Sequence, residues 1–391
     1  MSARHTLLEL FDTALRAVDG RECVARALRD CKAPRVAVMA IGKAAAGMAR
    51  GARQALGTRI GEMLIITKEG HRDPGLDGDR VCQLESPHPM PDVRSLRHGQ
   101  ALADALERVP SDVLPLFLVS GGSSSLVEAL RDGVSLEDLF ALNLHGLASG
   151  WDIATLNAER AKLSRIKGGG LSRLLGDRPA LALFLSDVPG DDPEVIGSGL
   201  LGHGDRTDRI ERHVVASVDV AMDAACGAAR SRGLEVERGR ARFDGDAVEV
   251  ARAFVAALRN TPAAALVWGG ESTVRLPVRT GRGGRNTHLA LAAARLLRAD
   301  EPLTILAAGT DGTDGPTDDA GAMVDCGTIE RAELAGCDVE RAFREFDSGT
   351  ALEMSGDLVH TGPTGTNVGD LLIGIKHSAN SLRGLARSRV L

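Results

Sequence analysis

The chain has 391 residues, a length that points to two domains rather than one uninterrupted core. Hydrophobic residues make up 43% and charged residues 26%, close to the average of soluble globular proteins, which excludes a disordered or fibrous chain. With 47 Lys+Arg against 53 Asp+Glu, a net charge of -6, and only 8 Phe, 2 Trp and no Tyr, a nucleic-acid groove is not expected.

Leu7, Leu8, Phe11, Leu15 and Val18 recur at helical spacing, so a helix opens the chain. Arg4, His5, Glu9, Asp12 and Arg16 interrupt its apolar residues, which suits an amphipathic helix and not the apolar core of a secretory signal. Short apolar runs follow at Val36–Ile41, Met63–Thr67, Leu114–Val119 and Leu181–Leu185. Buried strands of this kind, alternating with helices, predict a parallel sheet covered on both faces. None approaches the roughly 20 apolar residues that span a bilayer. Residues 205–231 are predicted mainly helical. The Arg- and Gly-rich stretch 233–245 marks a boundary, placed so that the domains are 1–238 and 239–391. Beyond it a helix over Asp246–Leu258, strands over Ala263–Trp268 and Ser272–Val278, a helix over Asn286–Leu297 and a strand over Leu303–Ala308 make the second domain α/β as well. Cysteines 23, 31, 82, 226, 326 and 337 show no C-x-x-C spacing, so no zinc site or disulfide framework is expected and a reducing cytoplasm fits.

In open α/β sheets ligands bind beyond the carboxyl ends of the strands, and here those positions are rich in Gly, Ser, Asp and single basic residues. Lys43 stands between a strand and a helix, where an anion would relieve its opposition to the helix dipole. It is one of only six lysines (32, 43, 68, 162, 167, 376) among the 47 basic residues. The run Ser120-Gly121-Gly122-Ser123-Ser124-Ser125 offers backbone N–H groups and hydroxyls to a phosphate. Asp187, Asp191 and Asp192 form a carboxylate cluster that can hold Mg2+ or act as a base. Glu271 follows another strand, and Arg285 and Asn286 open a helix, where an Arg fork can grip a carboxylate or phosphate. The acidic loop carrying Asp311 and Asp314 lacks the calcium-loop pattern and its terminal Glu. No G-x-x-x-x-G-K-[ST] is present, which excludes a P-loop kinase. The formal G-x-G-x-x-G at Gly197–Gly202 does not follow a credible strand, as a dinucleotide site requires. Strand-end anion sites with clustered carboxylates are the inventory of phosphoryl transfer.

In chain order, the segments Ile41-Gly-Lys43-Ala, Ser86-Pro-His-Pro-Met-Pro-Asp92, Val119-Ser-Gly-Gly122, Leu163-Ser-Arg-Ile-Lys167-Gly-Gly-Gly170, Leu185-Ser-Asp-Val-Pro-Gly-Asp191, Gly269-Gly-Glu271, Gly281-Arg-Gly-Gly-Arg285-Asn286, Ala308-Gly-Thr-Asp-Gly312 with Asp314-Gly-Pro-Thr-Asp318, and Thr361-Gly-Pro-Thr-Gly-Thr-Asn367 resemble the glycerate 2-kinase family with a C-terminal MOFRL domain. The resemblance covers nearly the whole chain. It implies a Rossmann-like parallel-sheet N-terminal domain, a smaller α/β C-terminal MOFRL domain and an active site in the cleft between them. The implied reaction transfers the γ-phosphate of ATP, with Mg2+, to the 2-hydroxyl of D-glycerate, giving 2-phosphoglycerate.

On that resemblance Lys43, Asp187 and Arg285 are the catalytic candidates. Ser120, Gly121, Gly122, Ser123, Ser124, Lys167, Glu271, Asn286, Asp311, Asp314, Thr366 and Asn367 are carried as substrate- or phosphate-binding, and Asp187 and Asp191 as metal-binding. Glycerate and ATP are the expected partners, with neither nucleic acid nor membrane, and a homo-oligomer is compatible with the family. Three departures stand out: Thr287-His288 in place of Gln-Glu, Gly197-Ser-Gly199-Leu in place of Ala-Ser-Gly-Pro, and Ser123 at a frequent third Gly. A nicotinamide-dependent hydroxypyruvate reductase and a non-catalytic phosphometabolite-binding protein are the alternatives.

Overall fold

A computed structural model describes residues 2–88, 90–149, 151, 153–202, 209–277 and 280–377. The chain divides into two units, each built on its own six-stranded sheet. One comprises Val18–Ser217 with Gly365–Val368, and the other Met1–Ala17, Val218–Thr364 and Gly369–Leu391. The sequence reading cuts the chain once, at 238/239. By packing, the opening helix and residues 218–238 belong with the C-terminal sheet, because the helix Ala3–Ala17 lies along the helix Val218–Ser231.

The N-terminal unit holds β1 (Val36–Ile41), β2 (Ile60–Lys68), β3 (Val81–Ser86), β4 (Leu114–Val119), β5 (Ala180–Ser186) and β6 (Ile210–Ser217). All pair in parallel, in the order β3-β2-β1-β4-β5-β6, which is the doubly wound arrangement. Every residue of β1 is buried, which accounts for a continuous apolar run where a one-sided strand would alternate. Met39, Ile41, Phe117 and Phe184 pack on one face with Leu102 and Leu106 of the helix Val93–Arg108. The order reverses between β1 and β4, so the two loops that leave their carboxyl ends flank the switch point where doubly wound sheets bind ligands. Those loops carry Lys43 and Ser120–Ser125.

The C-terminal unit holds β7 (Val236–Arg238), β8 (Ala265–Gly270), β9 (Leu303–Gly309), β10 (Gly321–Asp325), β11 (Leu358–Val359) and β12 (Asp370–Lys376), in the order β11-β10-β9-β12-β8-β7. Here β12 lies antiparallel between β8 and β9, and among the described strands of this unit β7 and β8 alone pair in parallel. Phe254, Leu289, Leu291, Ile305 and Leu372 form its core. Two sequence expectations are corrected. Residues 210–217 form the edge strand β6, and the helix begins only at Val218; 203–208 lie outside the described residues. The strand expected over 272–278 does not form: only Thr273 makes a bridge, to Asp246, and Leu276 is 62% exposed. Val278 lies outside the described residues.

Candidate active site

In the N-terminal unit the loops after β1 and β4 are sewn together by their own backbones. Ser120 N–H donates to Ile41 O (2.9 Å) and Lys43 N–H to Gly121 O (3.0 Å), while Ala44 N–H donates to Ser120 Oγ (3.0 Å). Gly42 permits this approach. Its φ of 127° is open to glycine, and a Cβ there would lie 2.6 Å from Ser120 O. A Cβ at Gly122 would lie 3.1 Å from Lys43 Cγ and 3.2 Å from His88 Cδ2, so the Lys43 stem and the His88 ring converge on that glycine. Ser123 is fully buried, and its Oγ has no hydrogen-bond partner among the described residues, an unmet polar group of the kind that waits on a ligand or a water. Ser124 Oγ lies 2.6 Å from Ser198 Oγ.

Asp187 leaves the end of β5 and meets the same loop. Asn367 Nδ2 donates to its Oδ2 (3.1 Å), and a Cβ at Gly121 would overlap both of those atoms and lie 2.5 Å from Asp187 Cγ. Carboxylate and amide thus lie directly over the Gly121 backbone. Asp191 occupies the next turn, at φ 53°, with its N–H on Val188 O.

Two of the expected binders have other duties. Lys167 is sealed inside, its Nζ 2.5 Å from Glu128 Oε2, while Ser164 Oγ donates to Glu128 Oε1 (2.6 Å). Burial pulls the Lys167 pKa down, against the attraction of Glu128. The Thr366 hydroxyl donates to Val18 O (2.6 Å) and fastens residues 365–368 to this unit.

In the C-terminal unit Arg285 and Asn286 open the helix Arg285–Leu296. Arg285 Nε and Nη2 donate to the two oxygens of Asp370 (2.7 and 3.1 Å), and Nη1 to Glu271. Burial disfavours the Arg285 charge, but Asp370 and Glu271 outweigh it and raise the pKa. Asn286 Nδ2 donates to Asp370 Oδ1 (3.0 Å). Asp314 caps the helix from a distant loop, accepting the Asn286 and Thr287 N–H groups (2.9 and 2.7 Å). Asp311 closes its own turn by accepting the N–H and hydroxyl of Thr313. Both acids therefore hold the loop and the helix entry. Sequence reading singles out neither Asp370 nor His88, because the segment matched to the family ends at Asn367 and His88 stands unmarked between two prolines. The signal for Asp370 was a carboxylate three residues on, just ahead of the apolar run Leu371–Ile373.

The departure at His288 is a packing device. Its ring is stacked between Phe343 and Phe346 (centroids 4.5 and 4.2 Å), with Nδ1 3.0 Å from Ser348 Oγ. Burial pushes its pKa from 6.5 down to about 4, with Asp246 opposing and Arg295 adding. Burial pushes Asp314 the other way, from 3.8 up to about 6, against the amides that bond it.

The two groups act on folding with opposite sign. As pH falls from 6.5 to about 4, the unfolded state protonates His288 first and about 3 kcal/mol of stability is lost. As pH falls from 6 to 3.8, the folded state protonates Asp314 first and roughly 3 kcal/mol is gained. They should nearly cancel between about pH 6 and pH 4. Relative to wild type, His288→Phe should gain stability on acidification across that window and Asp314→Asn should lose it, as read by urea midpoints. Burial also holds the pKa values of His98 and His377 down, and their contribution is common to both variants. Equal slopes in the two would refute the assignment.

The fold defines an α/β protein with a doubly wound N-terminal unit, whose polar residues gather at the carboxyl ends of its strands, and a second, mainly antiparallel sheet unit. The chain belongs to the family defined by a DUF4147 domain (a domain of unknown function) and a MOFRL domain, matched over residues 6–228 and 264–370. It is 34% identical to D-glycerate 2-kinase of Thermotoga maritima over 96% of this chain and 98% of the relative. It is 31% identical to glycerate 2-kinase of Pyrococcus horikoshii over 96% and 98%. An Agrobacterium vitis relative provisionally named a hydroxypyruvate reductase is 35% identical over 95% and 94%. The crystal structure of the Thermotoga maritima glycerate kinase superimposes with a TM-score of 0.83 at 33% identity, over 95% of this chain and 99% of the other. In this chain Ile196–Ser198 is a 3-10 turn and Gly197, Ser198 and Gly199 all have positive φ. That is not the strand-to-helix entry a dinucleotide requires.

Proposed function

We propose that this chain is an ATP- and Mg2+-dependent glycerate 2-kinase, forming 2-phosphoglycerate and ADP. The observation that carries the reading is the lysine-bearing loop after β1 joined to the Gly/Ser loop after β4, with Asp187 over Gly121. The names of the relatives support it. The 2-hydroxyl oxygen bonds to the γ-phosphorus as the bond to the β,γ-bridging oxygen breaks, and the hydroxyl proton leaves through Asp187. Lys43 and the backbone N–H groups and hydroxyls of Ser120–Ser124 stabilise the phosphoryl oxygens, since this chemistry depends on positioning and charge. Arg285 holds the glycerate carboxylate.

For Mg2+ the donors fit. Among the described residues no three His, Cys, Asp or Glu side chains gather as a metal cage, whereas Mg2+ commonly uses one or two carboxylates together with phosphate oxygens. Asp187 and Asp191 are the residues that would hold it. Bound there, it would neutralise charge on the β- and γ-phosphate oxygens.

The test is phosphorus NMR of the purified protein with Mg-ATP and D-glycerate. 2-Phosphoglycerate is the expected product. 3-Phosphoglycerate, or intact ATP after prolonged incubation, would overturn the proposal.

A further inference from the structure

Asp370 begins β12 and is 1% exposed, and neither the motifs nor the relatives assign it a task. Both of its carboxylate oxygens are engaged by the first two residues of one helix. Oδ2 accepts from Arg285 Nε (2.7 Å), and Oδ1 accepts from Arg285 Nη2 (3.1 Å) and Asn286 Nδ2 (3.0 Å). A guanidinium has five N–H donors. Asp370 takes two and Glu271 one, which leaves one on each terminal nitrogen. The Asn286 carboxamide is fixed as well. Its amino group faces the Asp370 carboxylate, so its Oδ1 points away, and that oxygen is buried and without a partner among the described residues. A buried acceptor left unmet costs about 1–3 kcal/mol, so it calls for a donor from outside the protein. One carboxylate therefore sets out two donors and one acceptor at a single helix entry. That pattern matches glycerate, whose carboxylate takes the Arg285 donors and whose 3-hydroxyl, the one that does not react, gives to Asn286.

We propose that Asp370 is the positioning residue for hydroxy-acid recognition, acting through Arg285 and Asn286 without touching the substrate; this rests on the kinase reading above. The pairing geometry favours such a role over a merely structural one. A side-on, two-point bond to Nε and Nη2 fixes the plane of the guanidinium, which a single ion pair would leave free to rotate.

The experiment is a double-mutant cycle on glycerate phosphorylation with Asp370→Asn, Arg285→Ala and the pair, reading kcat and KM separately beside the melting temperature. Asp370→Asn alone should lower kcat/KM for D-glycerate by about 10- to 100-fold through loss of alignment, with KM for ATP unchanged. The double variant should lose no more than Arg285→Ala alone, because the effect of Asp370 passes through Arg285. Losses that multiply, or a KM for ATP that rises in step with that for glycerate, would overturn the inference. If Asp370→Asn does not fold, Asp370→Ser enters the same cycle, since it leaves room for water beside the guanidinium. Wild-type protein that fails to phosphorylate glycerate overturns the kinase reading itself, whereas an active wild type with multiplying losses overturns only the role of Asp370.

Discussion

Replacing Lys43 by Ala should lower kcat by about two orders of magnitude or more, the scale of removing one preorganised group aimed at transition-state charge, while the melting temperature stays close to wild type. Three features of the residue lead there. It follows β1 at the switch point, where its backbone N–H is tied to Gly121 O (3.0 Å). Its stem reaches the Gly122 backbone, on which the His88 ring also converges. It is also a lysine where 41 of 47 basic residues, by subtraction of the six lysines, are arginine. A compact ammonium can be met by phosphate oxygens from several directions, which a planar fork cannot imitate. Lys43→Arg should accordingly recover only part of the loss. A folded Lys43→Ala variant with near wild-type kcat would show that the lysine is a solvated surface charge and that the phosphoryl oxygens are met elsewhere.

The sequence was most legible where a strand is buried on both faces. The apolar runs predicted β1 and β4 to the residue, and β5 within a residue at each end. It failed at β6, an edge strand whose Glu211 and His213 are exposed. An edge needs no continuous apolar run, so its charged residues resemble a helix surface. It failed again at 272–278, where Thr273, Val274 and Val278 suggest a strand but no neighbouring strand pairs with the described part. The antiparallel insertion of β12 between β8 and β9 joins segments far apart in the chain, and no local pattern encodes it.

The candidate site divides in the same way. Loops that follow buried strands announced themselves through composition, which is why Lys43, Ser120–Ser124 and Asp187 were legible. The duties of Lys167 and Asp314 were not. Lys167 answers a glutamate 39 positions earlier, in a segment that reads as apolar core, and Asp314 caps a helix 28 positions away. A polar residue's partner decides whether it serves a ligand or the fold, and partners at such separations are set by topology.

Gly121→Ala should separate activity from folding more cleanly than any change of a charged residue. The three atoms nearest a Cβ at this position all belong to two side-chain ends, the Asp187 carboxylate and the Asn367 amide. Both can swing aside. The fold should therefore absorb the methyl with a small change in melting temperature. The hydrogen bond between Asn367 and Asp187 (3.1 Å) cannot survive the movement, and Asp187 would leave its place over the loop. Displacement of a reacting group by about 1 Å can cost 10²-fold in rate, so a fall in kcat of at least about that size is expected. The contrast is Gly42→Ala, whose Cβ would press on the Ser120 backbone itself at a φ of 127°. That side chain has no retreat, and the expected loss is of folded protein rather than of turnover. If Gly121→Ala keeps its kcat, the carboxylate over the loop does not take part in the reaction, and the search for the group that receives the hydroxyl proton moves to Asp191.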